Sequence, residues 1–352
     1  MNEYLEKVID KNLGEELRNY IEKDLFEQVH VLHPLYAVHG KIEKDSMEQL
    51  KKSGTEVIIT PDRNIISMIG SAVKRGYFDG ANKKKITSFL AWTIRNGFAI
   101  NPFDAVREGV YRSGSIAANK EIELFNYLYD NVSPDVIVKS FYNDGVLFKS
   151  KSFDDTSEEE SLKFTNDNAG FNFIYAAILH FVYVLRAETK PEKQFYSYFD
   201  WYLNGCVISE YVIAYILLFF ERKGAPPHNA YKDDIEVING CKNESYDLLY
   251  VQEIDPNRYP SNKYTMIFAT QDKTLFRVFE LVNDRTKYST VDEYLDVLFD
   301  GFLYKKKSEY LEYFKEKLSQ HICKVNPENA LSISKELVEK EEKQLKGLLH
   351  LQ

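Results

Sequence analysis

The stretch "TEVIITPDRNIISMIG" (Thr55–Gly70) constrains the fold more than any other part of this 352-residue chain. Val57, Ile58, Ile59 and Thr60 form a short β-branched run closed by Pro61, the pattern of a buried strand. Beyond Asp62, Ile65, Ile69 and Ala72 recur at helical spacing, as do Ile66, Ile69 and Val73. A strand that turns directly into an apolar-faced helix predicts an α/β core. It also places the Asp62 carboxylate at the carboxyl end of a core strand, the end at which open α/β sheets bind ligands.

The same grammar returns late in the chain. "YTMIFAT" (Tyr264–Thr270) reads as a strand and "DKTLFRVFELV" (Asp272–Val282) as an amphipathic helix, with Asp272 at the junction. Between the two blocks the pattern is helical. The expected organisation is a helical or extended segment over 1–53 and the first half of the core over 54–115. A helical insertion over 116–230, the second half of the core over 231–288 and a helical tail over 289–352 complete it. "KGAPPHN" (Lys223–Asn229) breaks the helical pattern and marks a junction. The acidic stretch "KSKSFDDTSEEES" (Lys149–Ser161) reads as a solvated loop.

Two apolar runs, Phe171–Leu185 and Cys206–Phe220, are shorter than the ~20 residues a membrane span needs, and the second carries Glu210. They read as buried helices. The acidic, helical start "MNEYLEKVIDKNLGEELRN" does not resemble a secretory signal, so a cytoplasmic protein without a membrane partner is expected. A formal charge of −9 excludes sequence-blind nucleic-acid binding by the whole surface, though not by one basic patch or through bound metal. Three widely spaced cysteines, Cys206, Cys241 and Cys323, read as reduced, structural thiols.

Four acids stand in comparable positions. Asp62 and Asp272 follow core strands. Glu108 lies in "NPFDAVREG", where Phe103, Val106 and Val110 are expected to face the core and Glu108 the opposite side. Asp247 lies in "NGCKNESYDLLYV", early in a helix for which Asn243 is a candidate cap. Carboxylates gathered in one cleft repel unless a cation sits among them, and Mg²⁺ or Mn²⁺ takes oxygen ligands. Such a site would activate water against a phosphodiester. Asn64 and Thr270 are candidate hydrogen-bond supports, Thr270 for Asp272. Each acid also has a plain reading, as a cap or a surface charge near a helix start.

The order "IITPDRN", "NPFDAVREG", "NESYDLLYV", "TMIFATQDKTL" resembles the acidic signature of PIN-like domains, over about 100 residues in two blocks. The resemblance implies a parallel-sheet α/β/α core and metal-dependent nuclease activity, on RNA in preference to DNA. It maps the family's first acid and its following Asn/Ser onto Asp62 and Asn64, and the helix-borne glutamate onto Glu108. The third acid maps onto Asp247, and the Thr-x-Asp after the last core strand onto Thr270 and Asp272. The chain departs from small members of the family in the long insertion between Glu108 and Asp247 and in the helical tail.

Lys74, Arg75, Lys83, Lys84 and Lys85 lie near the first two motifs and are candidate contacts to a nucleic-acid backbone. Arg63 and Arg107, each beside a motif acid, are candidates to neutralise it. Lys305, Lys306 and Lys307 read as a solvated basic run. His30, His33 and His39 lack zinc-site spacing, and His180 sits in an apolar run as a core residue. Tyr246, Phe268 and Trp92 read as core aromatics. Two other classes stay open at this stage: a non-catalytic α/β interaction or scaffold protein, and a metal-dependent phosphatase. Self-association or an inhibitor protein is likewise left open by the residues.

Overall fold

The computed structural model describes residues 13–145, 147–152, 168–220, 225–233, 235–254, 264–284, 289–299, 307–321 and 325–350. Most of the acidic stretch Lys149–Ser161, together with Cys323, Lys305 and Lys306, lies outside them. The described chain is mixed α/β and mostly helical.

In chain order the elements begin with α1 (Glu15–Lys23), α2 (Leu25–Gln28), β1 (His30–Leu32), β2 (Ala37–Val38) and β3 (Lys41–Ile42). There follow α3 (Lys44–Ser53), β4 (Glu56–Pro61), α4 (Arg63–Arg75), α5 (Lys83–Arg95) and β5 (Ala99–Ile100). Next come α6 (Phe103–Asn131), α7 (Pro134–Tyr142), α8 (Ala169–Ala187), α9 (Pro191–Gly205), α10 (Glu210–Phe220) and α11 (Glu236–Glu253). The last are β6 (Tyr264–Thr270), α12 (Lys273–Asp284), α13 (Val291–Leu298), α14 (Lys307–Gln320) and α15 (Ala330–Leu348).

These elements fall into two compact units, residues 1–164 with 253–276, and residues 165–252 with 277–352. The first unit holds a four-stranded sheet of order β1-β6-β4-β5. β4, β5 and β6 run parallel, and β1 pairs antiparallel with β6 at the edge. Pro61 stands opposite Ala269 and His30 opposite Thr270, so the carboxyl ends of β4 and β6 lie side by side. The Asp62 amide donates to the Ala269 carbonyl at 2.8 Å, carrying the ladder one residue further. The β-branched run that signals β4 also sets its packing: Val57 and Ile59 are buried, and Ile65, Ile66, Ile69, Ala72 and Val73 of α4 close over the same core.

The break expected at 115/116 falls within α6. Gly114 takes φ 78° and ψ 167°, a conformation without penalty only for glycine, so the helix bends there and continues to Asn131. Its second half packs within the first unit, where Ala118, Ile122, Leu124, Phe125 and Leu128 join the core.

The second unit is built from helices. α8 packs against α15, α9 and α10, and α9 against α14. This unit holds much of the chain's aromatic excess: Phe195 and Phe199 of α9 meet Phe220, Tyr310 and Phe314 at ring-centroid distances of 4.6–5.5 Å. Each such buried ring is worth roughly 1.5–3 kcal/mol over an exposed one. The run Phe171–Leu185 lies in α8, which at 19 residues is longer than the run itself and meets the length and composition of a membrane span; 78% of its apolar window is buried within the fold. Cys206 and Cys241 are buried, and burial pushes both thiols far up, which leaves them poor nucleophiles.

Candidate functional site

The carboxyl edge of the first unit's sheet is organised around Asp62. Its side chain caps α4 by accepting from the Ile65 amide at 2.9 Å through Oδ1. Its Oδ2 accepts from the Thr270 hydroxyl at 2.8 Å and from the Gln271 amide at 2.9 Å. The carboxyl group is 3% exposed. Burial and the neighbouring Asp272 push its pKa up, against the three hydrogen bonds, which favour the ionised form.

Asp272 repeats the arrangement one strand over. It caps α12, with Oδ1 accepting from the Thr274 amide at 2.6 Å and the Leu275 amide at 3.0 Å. Its own amide donates to the Thr270 hydroxyl oxygen at 2.9 Å. Thr270 therefore supports the Asp62 carboxylate, whereas spacing suggested support for Asp272; the reason is that Thr270, the last residue of β6, points its hydroxyl across to the adjacent strand. This one buried hydroxyl joins the two acids.

Glu108 differs from its expected placement. It is 6% exposed, whereas Phe103, expected in the core, is 47% exposed. The Asn101 side chain accepts from the Phe103 amide at 3.0 Å, and the buried face of α6 starts later, at Ala105 and Val106. Arg63 ties this part of α6 to α4. It donates to the Ala105 carbonyl at 3.1 Å and forms a two-pronged pair with Glu121 at 2.6 and 2.8 Å. Gly109 leaves room for that guanidinium, and a Cβ there would collide with it. Arg63 is thus committed to Glu121 and not to the adjacent Asp62.

Asp247 belongs to the second unit. α11 begins at Glu236, so Asn243 is a mid-helix residue and not a cap, and Asp247 lies in the fourth turn, not early in the helix. The site described here consists of first-unit residues. Among the described residues, no group of three or more His, Cys, Asp or Glu side chains is arranged to hold a metal ion.

Basic groups differ in what they offer the site. Lys85 bonds the Gln271 side chain at 2.8 Å and feels the Asp62 charge, although burial lowers its pKa. Lys83 pairs with Asp144, Arg75 with Asp79 and Lys84 with Glu16. Lys74 is exposed on α4. A cavity of about 320 Å³ runs along the polar side of α4 from Asn64 through Ser67 and Ser71 to Arg75, with Lys83 on its far wall. Asn64 lines this cavity, whereas Asp62, Thr270 and Asp272 do not.

Four features were not read from the sequence. Gln271 contributes both an amide to Asp62 and a side chain to Lys85, because it follows the last strand residue, but nothing in its type signals this. Arg107 lies 3.6 Å from Asp104 and 3.8 Å from Glu253. Burial, with Asp104 nearby, pushes Glu253 up to about 7 despite Arg107. His30 stacks on Phe276 with centroids 4.3 Å apart, and burial and Lys273 lower its pKa while Asp272 raises it. His33 accepts from the Leu35 and Tyr36 amides through Nδ1, a turn-capping role, and burial takes it down to about 4. Trp92, Tyr246 and Phe268 are buried core residues, as expected.

Comparison with protein-family models, with curated proteins and with solved structures finds no match to this chain.

Proposed function

We propose that the chain is a divalent-metal-dependent phosphodiesterase acting on nucleic acid, RNA in preference to DNA, with a PIN-like core in its first unit. The observation that carries this reading is the pairing of Asp62 and Asp272 at the ends of neighbouring parallel strands, joined through Thr270. The donor chemistry fits Mg²⁺ or Mn²⁺. Asp272 uses Oδ1 for both cap bonds, and Mg²⁺ is commonly held by one or two carboxylates with water and substrate phosphates completing its shell. A cation there would supply positive charge that polarises water and the scissile phosphate.

The chain's own residues divide the remaining tasks. Thr270 and the Gln271 amide hold the Asp62 carboxylate in one orientation. Asn64, Ser67 and Ser71 offer hydrogen bonds along the α4 cavity, and Arg75 and Lys83, paired with Asp79 and Asp144, stand at its far end. Glu108, on a helix whose start is clamped to α4 by Arg63, is the further acid of the first unit. Asp247 enters only through the resemblance.

A second reading is favoured by one observation: both aspartates complete helix caps, and Asp62 has three donors. On that reading the pair is structural and the protein a non-catalytic scaffold. Asp272→Asn separates the two, because asparagine caps a helix as well as aspartate does. With Mn²⁺ and end-labelled single-stranded RNA, the wild type should cut and Asp272→Asn should lose about a hundredfold or more of that activity at unchanged stability. Cleavage of neither RNA nor DNA by the wild type, or an equally active variant, would leave the scaffold reading standing.

A further inference from the structure

The second unit contains a polar pair that the nuclease reading does not use. His180 of α8 bonds Glu341 of α15 through Nδ1 at 2.8 Å. Glu341 is 0% exposed, and its second oxygen, Oε1, has no hydrogen-bond partner. Nearby cross-links between the same helices, Asn172–Ser334 and Tyr175–Glu342, suffice to set their register. Burying a carboxylate is costly, and Lys340 comes no nearer to Glu341 Oε1 than 4.0 Å, so a further pair with a fully buried carboxylate at this contact calls for another reason.

The surroundings supply one. His180 lies in the wall of a cavity of about 640 Å³, within the size range of small-molecule sites. The imidazole is stacked on Trp201, centroids 3.9 Å apart and planes 6° off parallel. Tyr183, Val184, Ala187 and Leu337 provide an apolar and aromatic lining, and Lys340 stands at the margin. A carboxylate on Nδ1 holds a proton there and orients the ring, and an imidazole carrying that one proton presents Nε2 as a hydrogen-bond acceptor. The cavity combines an apolar and aromatic wall with polar groups, Glu188, Ser197, Asp200 and Asn204, and among its polar groups His180 is held in one orientation by a fully buried partner.

We infer that this cavity binds a small planar aromatic molecule carrying an O–H or N–H donor, with the donor bonded to His180 Nε2 and the ring among Trp201, Tyr183 and Leu337. The inference stands independently of the nuclease reading. Phenol and benzene are suitable probes, since they share a shape and differ by one hydroxyl. Calorimetric titration of the full chain should give saturable phenol binding about tenfold tighter than benzene, the difference one buried hydrogen bond makes. His180→Phe, checked for folding by circular dichroism, should reduce phenol to the affinity of benzene. Should that variant not fold, Leu337→Trp, which fills the cavity from α15, should abolish binding of both probes. Absence of saturable phenol binding overturns the inference. So does equal affinity for the two probes, or retained phenol preference in His180→Phe or retained binding in Leu337→Trp.

Discussion

Replacing Thr270 by valine tests the junction between the two aspartates. Thr270 is fully buried, and valine copies its shape while deleting the hydroxyl. Two hydrogen bonds go with it: the one to Asp62 Oδ2 at 2.8 Å and the one from the Asp272 amide at 2.9 Å. A hydrogen bond to a charged group is worth about 1.5–3 kcal/mol, and an amide left without its partner costs about 1–3 kcal/mol. Gln271 still donates to the same oxygen and the half-exposed Asp272 amide regains some water, so the loss should be about 2–4 kcal/mol. Thr270→Ser keeps the hydroxyl and loses one methyl, which should cost only about 1 kcal/mol. The chain has two tryptophans, one in each unit: Trp92 is buried and Trp201 half-buried. In a Trp201→Phe background, urea unfolding followed at Trp92 therefore reads the first unit alone. Valine should be the more damaging change by at least ~1 kcal/mol; a serine variant as unstable as the valine variant, or more so, would refute the role given to the hydroxyl.

Three further substitutions probe other parts of the fold. Glu253 is raised from 4.5 to about 7, so the folded state holds its proton more tightly than the unfolded chain. The stability it contributes is full below pH 4.5 and is lost as the pH rises through 7, by up to about 3 kcal/mol. Glu253→Gln should therefore gain on the wild type between pH 5 and 8 in parallel urea titrations, and a constant difference would contradict the assignment. A Cβ at Gly240 would overlap the His228 backbone carbonyl, so Gly240→Ala should cost about 3 kcal/mol despite alanine's helix preference. Gly347, in open space on α15, should instead tolerate alanine or gain up to ~1 kcal/mol, measured by unfolding followed at Trp201.

The strand-to-helix junctions were legible because two periodicities meet there. Val57–Thr60 and Tyr264–Thr270 alternate or run apolar as strands do, and the residues after Asp62 and Asp272 switch at once to helical spacing. That alone placed both aspartates at the sheet's carboxyl edge. What stayed hidden was tertiary. Arg63 reaches across to Ala105 and Glu121 of α6, and no local pattern encodes a contact 58 residues away. The kink at Gly114 joins what composition had divided, because one glycine can bend a helix without ending it. α11 runs through Asn243 because a cap signal loses to a helix already started and packed. The His180–Glu341 pair joins residues 161 apart, and its histidine was readable only as a core residue in an apolar helix.

Mn²⁺ binding tests the central claim most directly, since it asks about the site without assuming a substrate. Titration of Mn²⁺ into the full chain, followed by the loss of the free-ion paramagnetic resonance signal, should show a saturable site in the wild type. Asp272→Asn should weaken that site by at least about tenfold, with its helix cap intact. Undiminished Mn²⁺ binding in the variant, or none in the wild type, would contradict the assignment of Asp62 and Asp272 as a metal-holding pair.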